Sequence, residues 1–340
     1  MARNVYGIDL GTYEIKVYDK KKEVLWKEKN VIAIENEKNI LAIGDEAYEM
    51  YEKVPDNIEV VFPMKYGVIS RFNDMQYLLQ NLLKKDSHFA RGAEYVIAVP
   101  TDVTEVEKRA FFDLVIHSTA KAREVNIVER AIADAIGLGI NVETTKGVMI
   151  VNLGGETTEV SILASGGIVV NQLLKTGGMS FDAEVANKVR NNHDFLIGHL
   201  TAEILRRKFG VFDDDKTESM KVSGRNLVTG VPQQMDISVG LVRAAIKDPL
   251  KECINAIMFL IERTPPEVLL ALKKNGIYLT GGLANLPGIA TYVRETTGFR
   301  VRETRNPEFC AVSGLKQVIQ SKNMKKWAYS MLDNNYRWMR

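Results

Sequence analysis

The chain has 340 residues, which at roughly 150 residues per domain allows two domains and more than one hydrophobic core. Its 45 Lys and Arg against 43 Asp and Glu leave a formal charge of +2, and 46% hydrophobic with 26% charged residues is the make-up of an ordinary folded soluble protein. This excludes a disordered or collagen-like chain and a nucleic-acid binder that works by gross basicity. Cys253 and Cys310 lie far apart without a CxxC partner, so neither a disulfide framework nor a Cys-rich zinc site is expected, in keeping with a reducing cytoplasm. The opening MARNVYGIDL enters a strand at once, and the longest unbroken apolar run, residues 256–261, falls far short of the ~20 residues of a membrane span.

In chain order, residues 5–11 (VYGIDLG) read as a strand ending in a glycine turn, followed by a second strand alternating through Tyr13, Ile15 and Val17. Residues 31–70 are mixed, with short strands and a turn near Pro55, and read as a small insertion. Apolar spacing predicts helices over 73–84 (Met75, Leu78, Leu79, Leu82) and 104–120 (Val106, Ala110, Leu114, Ile116), on either side of a strand at 95–99. Residues 147–158 (GVMIVNLGGETT) repeat the first design and lead into a strand at 159–163. A second insertion, 182–243, is expected to hold two short helices, a solvated acidic loop at 213–215 and a strand pair around Gly224. Residues 277–282 (IYLTGG) give a third strand with a glycine turn.

Glycine turns at the ends of buried strands let backbone N–H groups converge on an anion, because no Cβ blocks the approach. Taken singly they are common; GIDLGT, NLGGETTE and LTGGLANLPG in this order resemble the nucleotide cradle of the actin, sugar kinase and DnaK-type chaperone superfamily. Within it, VIAVPTDVTEVEKRA (96–110), AREVNIVERAIADAIGLGI (122–140), LIGHLTAEI (196–204), VSGRNLVTGVP (222–232) and TPPEVL (264–269) are similar to MreB, the bacterial actin. The likeness runs to about Gly314 and implies an actin-like α/β fold: two duplicated α/β domains, each with a small inserted subdomain, and a nucleotide cleft between them. The expected parts are a first large subdomain (1–30 and 71–145) with its small one (31–70), a second large subdomain (146–181 and 244–320) with its small one (182–243), and a tail at 321–340.

The resemblance assigns ATP, with Mg²⁺ as counter-ion, to Asp9, Gly11, Thr12, Tyr13 and Lys16 in the first loop and to Asn152, Gly154, Gly155, Glu156 and Thr157 in the second. Glu203 and Arg206 are assigned to the ribose side, Gly281, Gly282 and Leu283 to the adenine side, and Asp9 to a weak Mg²⁺ contact. The departures from the family pattern cluster in this pocket. Its DxGGGTTE loop has Asn152 for the aspartate and Glu156 for the third glycine, and its DLGTANT loop has Glu14 in place of an amide. An amide is a poorer Mg²⁺ partner than a carboxylate. The second glutamate of EEPMAAAIG, which orients the attacking water, is Arg130 here, and a guanidinium that stays protonated cannot act as a base. Two outcomes are open: Arg130 and Lys16 supply the charge that Mg²⁺ no longer provides, so ATP binds and stays, or Arg130 pairs with Glu156 and no nucleotide is needed.

His88, His117, His193 and His199 show no metal-ligand spacing, and no GxSxG or Walker A loop occurs. Residues 322–340 place Met324, Trp327, Ala328, Met331 and Leu332 at helical spacing among Lys and Arg, the composition of an interfacial anchor, with Trp327, Met331, Trp338 and, in a loop, Phe89 as candidate membrane contacts. The alternative is a tail packed on its own domain or on a partner. The resemblance implies a cytoplasmic cytoskeletal protein on the inner membrane face that forms filaments with itself or another MreB-type protein, without a nucleic-acid partner. A non-polymerising pseudo-ATPase adaptor is the alternative, ahead of a small-molecule kinase or a DnaK-type chaperone.

Overall fold

A computed structural model of the chain describes residues 4–85, 92–118, 122–211 and 218–332. Two compact units emerge, Met1–Thr145 with Phe309–Arg340, and Lys146–Glu308. The first contains β1 (Val5–Leu10), β2 (Glu14–Asp19), β3 (Val24–Lys29), β4 (Ile32–Glu35), β5 (Asn39–Ile43), α1 (Asp45–Met50), β6 (Ile58–Val61), β7 (Met64–Lys65), β8 (Val68–Ile69), α2 (Phe72–Lys85), β9 (Glu94–Val99), α3 (Glu105–Ile116), β10 (Glu124–Glu129) and α4 (Arg130–Gly137). Its main sheet has the order β10-β9-β1-β2-β3. The strand β1 is buried throughout because it is central, with parallel β9 on one side and antiparallel β2 on the other. The α2 residues Met75, Leu78, Leu79 and Leu82 all enter the core, as their spacing predicts.

The helix α3 corrects one detail. Thr104 closes a capping box with Glu107, and Phe111, Phe112, Leu114 and Val115 form the buried face. Val106, expected on that face, is 80% exposed. Five residues before Phe111, it falls on the far side of the helix.

The second unit contains β11 (Val148–Leu153), β12 (Thr158–Ala164), β13 (Gly167–Leu174), α5 (Gly178–His193), β14 (Phe195–Leu196), α6 (His199–Phe209), β15 (Ser219–Asn226), β16 (Pro232–Ser238), α7 (Val239–Glu262), α8 (Pro266–Asn275), β17 (Ile277–Thr280), α9 (Ile289–Thr297) and β18 (Val301–Arg302). Its sheet, β13-β12-β11-β17-β18, is the first sheet again: an antiparallel meander of three strands, extended beyond its first strand by two parallel ones. Each unit also carries a small antiparallel sheet, β5-β4-β6 beside α1 in the first and β14-β15-β16 in the second. The acidic loop expected at 213–215 lies outside the described residues.

Two expectations change near the C-terminus. The last helix, α10 (Cys310–Gln320), belongs to the first unit and not to the second large subdomain. The reason is packing: a Cβ on Gly7 of β1 would lie 3.0 Å from Ile319 Cδ1 and 3.1 Å from Leu315 Cβ, so the helix rests directly on the central strand. Glycines also let it cross α4 closely, since a Cβ on Gly137 or Gly314 would collide with the backbone of the other helix. Nor does an amphipathic helix follow among the described residues, which end at 332. Residues Lys322–Trp327 form a 3₁₀ segment, after which Tyr329 exchanges backbone hydrogen bonds with Ile127 at 2.8 and 3.1 Å. This covers the edge strand β10, and Tyr329 and Met331, two residues apart, pack on the core as alternate residues of an extended segment do. Trp327 is half-buried, whereas Phe89 and Trp338 lie outside the described residues.

Candidate nucleotide-binding site

The two hairpins that open the sheets close in the same way. Gly11 N–H donates to Glu14 O at 3.1 Å, and Gly154 N–H donates to Thr157 O at 2.8 Å. Glycine is needed at both, because a Cβ would stand 2.7 Å from Glu14 O in one and 2.9 Å from Thr157 O in the other. The register pairs Asp9 with Lys16 and Asn152 with Glu159. The second turn is therefore the first repeated, with the acid neutralised and the base replaced by an acid.

In the first unit, β1 delivers Asp9 and the start of α4 delivers Arg130. Arg130 Nη2 lies 3.5 Å from Asp9 Oδ1 and donates to Leu10 O at 3.1 Å, with side-chain exposures of only 7% and 9%. Asp9 Oδ1 accepts no regular hydrogen bond, so its compensation is this ion pair. Thr12 is buried and its hydroxyl accepts from Gly67 N–H at 3.2 Å. Tyr13 O–H meets Tyr48 O–H, and its ring stacks on Phe62, so its side chain belongs to an aromatic cluster with α1 and β6. Lys16 and Lys29 lie 3.7 and 2.8 Å from Glu14, and Lys27 lies 3.3 Å away. Burial alone would raise the Glu14 pKa, but these three cations win and hold it at about 2. Glu129, beside Arg130, pairs with the buried Lys108 at 3.1 Å.

In the second unit the turn is clasped by the start of α5. Gly178 N–H donates to Gly154 O at 3.0 Å and Met179 N–H to Gly155 O at 2.6 Å. Gly177 permits this, since a Cβ there would sit 2.6 Å from Thr157 N. Thr157 is buried; Asn152 and Glu156 are half-buried. Arg206, expected near the ribose, is committed to Asp182 through two hydrogen bonds of 2.6 and 3.1 Å, both side chains being buried. Burial still raises the Asp182 pKa against the pull of Arg206. Glu203 pairs with Arg207 one helical turn on, at 2.7 Å. Gly281 has φ +83° and would collide with Leu153 O if it carried a Cβ, so it holds the third turn against the second. A Cβ on Gly282 would meet nothing within 4 Å, and Leu283 is a core side chain that offers the turn only its backbone.

Several residues that shape these halves carry no motif. Asn30 ties the first turn through Nδ2 to Gly11 O at 2.9 Å and through its N–H to Tyr13 O at 3.0 Å. Lys27 and Lys29 had one signal, the alternation K-E-K in the strand after the turn, which register sets opposite Lys16 and Glu14. Asp182 had none, because its partner lies 24 residues away on another helix.

The donor set suits an anion better than a cation. At the start of α4 the guanidinium adds to the partial positive charge of the helix N-terminus, with Asp9 the carboxylate paired there and no acid in the first turn. At the equivalent position of the two turns Asp9 faces Arg130 and Asn152 is neutral, and among the described residues no group of three His, Cys, Asp or Glu could hold a metal ion.

Two sheets of one topology, each with a glycine turn after its first strand, define an actin-like protein. A family model described as MreB/Mbl protein matches residues 3–327. The cell shape-determining protein MreB of Escherichia coli (strain K12) is 33% identical over 333 residues, 95% of each chain. MreB5 of Spiroplasma citri, in crystal structures bound to ADP and to AMPPNP, superposes with a TM-score of 0.89 at 30% identity over 96% of this chain and 98% of that one. A MamK double helical filament, at TM-score 0.79 and 22% identity over 94% and 99% of the two chains, shares the fold. The chain belongs to the MreB/Mbl family.

Proposed function

We propose that this chain is a cytoskeletal member of its family that binds ATP with little or no hydrolysis and forms, or regulates, actin-like filaments that determine cell shape. The observation that carries the reading is Arg130: buried, hydrogen-bonded to Leu10 O and paired with Asp9, it stands where the family resemblance puts the water-orienting glutamate. It holds no lone pair for a proton, so the position can bind a phosphate oxygen but cannot activate water. Within the first unit, the glycine turn after β1 and the start of α4 offer backbone N–H groups and positive charge to a polyphosphate. The nucleotide in the MreB5 structures supports this assignment.

The protein works in the cytoplasm, with peripheral contact to the inner membrane face. No helix among the described residues is long and apolar enough to cross a membrane, so this contact is made by surface residues. The test is phosphate release from ATP beside E. coli MreB in one assay, with filament formation followed by pelleting. Release at least about a hundredfold slower is expected, the usual scale for loss of a group acting in proton transfer. An equal rate sinks the reading. Pelleting of the protein alone supports the filament, and pelleting only with an authentic MreB supports the regulator.

A further inference from the structure

We propose that the nucleotide is taken up without Mg²⁺, the Arg130 guanidinium being the resident cation of the site. The inference rests on the ATP-binding reading above and concerns the form in which ATP binds. Asp9 is the carboxylate at the end of the central strand, and it has a permanent cation 3.5 Å away, oriented by a hydrogen bond to Leu10 O. Both side chains are more than nine-tenths buried, so solvent screens their attraction only weakly. A hydrated divalent cation approaching Asp9 would meet the guanidinium at close range and find its carboxylate already engaged.

The surroundings point the same way. Arg130 opens α4, where a cation is ordinarily disfavoured by the helix dipole, and the first turn holds no acid to offset it. Asp9 balances Arg130, and Lys108 balances Glu129, the residue that caps the helix, so the partial positive charge of the helix N-terminus is left over. That remainder is complementary to a phosphate oxygen and repels a metal ion. In the second turn, the equivalent of Asp9 is the neutral Asn152. Metal-free ATP, with more negative charge than its Mg²⁺ complex, is thus the better partner of Arg130.

Isothermal titration of the full chain with ATP, in EDTA and in excess Mg²⁺, tests this directly. Affinity in EDTA is expected to be equal to that in Mg²⁺ within about threefold, or tighter, while E. coli MreB serves as the comparison. Arg130→Gln, checked for folding by circular dichroism, is expected to lose about tenfold or more in EDTA and less in Mg²⁺. Wild-type binding that is about tenfold weaker in EDTA overturns the inference and leaves ATP binding standing. No binding in either buffer overturns both. Should Arg130→Gln fail to fold, the two wild-type titrations still decide.

Discussion

Glu14 shows how far a single residue's role depends on what folds around it. Read along the chain, it replaces an amide beside the phosphates. In the fold it is enclosed by Lys16, Lys27 and Lys29, and its pKa falls from 4.5 to about 2. A depressed carboxylate pKa contributes stability that is fully present above the unfolded value and is lost as pH falls through the folded one. The window here runs from about pH 4.5 down to about 2. The shift corresponds to about 1–3 kcal/mol, once screening at the half-exposed Lys27 is allowed for. Glu14→Gln should therefore destabilise the protein by that amount at pH 7 in urea unfolding. It should also flatten the fall in stability between about pH 4.5 and 2 relative to the wild type, by an amount set by the same ~1–3 kcal/mol. An unchanged pH profile would show that the lysines neutralise Glu14 equally in the unfolded chain. The substitutions at Arg130, Asn152 and Glu156 were legible in the sequence because a motif fixes what should stand there. The engagement of Arg206 with Asp182 was not, because a buried ion pair between two helices leaves no periodic trace.

Among the elements, the strand–turn–strand units were the most legible, since a buried central strand is a continuous apolar run and its turn must be glycine. The C-terminal elements were the least. An apolar helix such as α10 packs equally well, by composition, on either of two similar sheets; what selects β1 is the absence of a side chain at Gly7, Gly137 and Gly314. The tail misled for a related reason. Met324, Trp327, Ala328 and Met331 satisfy helical spacing on paper, but an open edge at β10 supplies backbone partners, taken by Tyr329, that an isolated short helix lacks. The glycine crossing gives a sharp expectation: Gly314→Ala should cost about 1–3 kcal/mol, the usual penalty of overpacking, because the obstruction is the Ala133 backbone and cannot rotate away. Gly282→Ala, which meets nothing within 4 Å, is the control and should be near neutral in thermal unfolding. Equal effects at the two positions would mean that α4 and α10 are not held in close contact.

At the scale of the whole molecule, the two units differ in how the chain builds them, although their sheets share a topology. Lys146–Glu308 is one continuous stretch, and its core draws on β11, β12, β17, α5, α7 and α9 within that stretch. The other unit is split: α10 lies on β1 and crosses α4, and Tyr329 completes the edge of β10, so residues 309–332 supply part of what the first 145 residues need. Removing α10 would uncover Gly7 and the α4 face it packs on, along with the buried side chains of Val312, Leu315, Val318 and Ile319. At roughly 1.5–3 kcal/mol for each buried apolar side chain, that loss is comparable to the whole stability of a domain. Residues 146–308 expressed alone should therefore unfold cooperatively on heating, while residues 1–145 alone should not. Adding residues 309–340 through a flexible linker after residue 145 should restore a cooperative transition to the first unit. A cooperative melt of residues 1–145 without that addition would mean that α10 and the tail decorate a unit already complete.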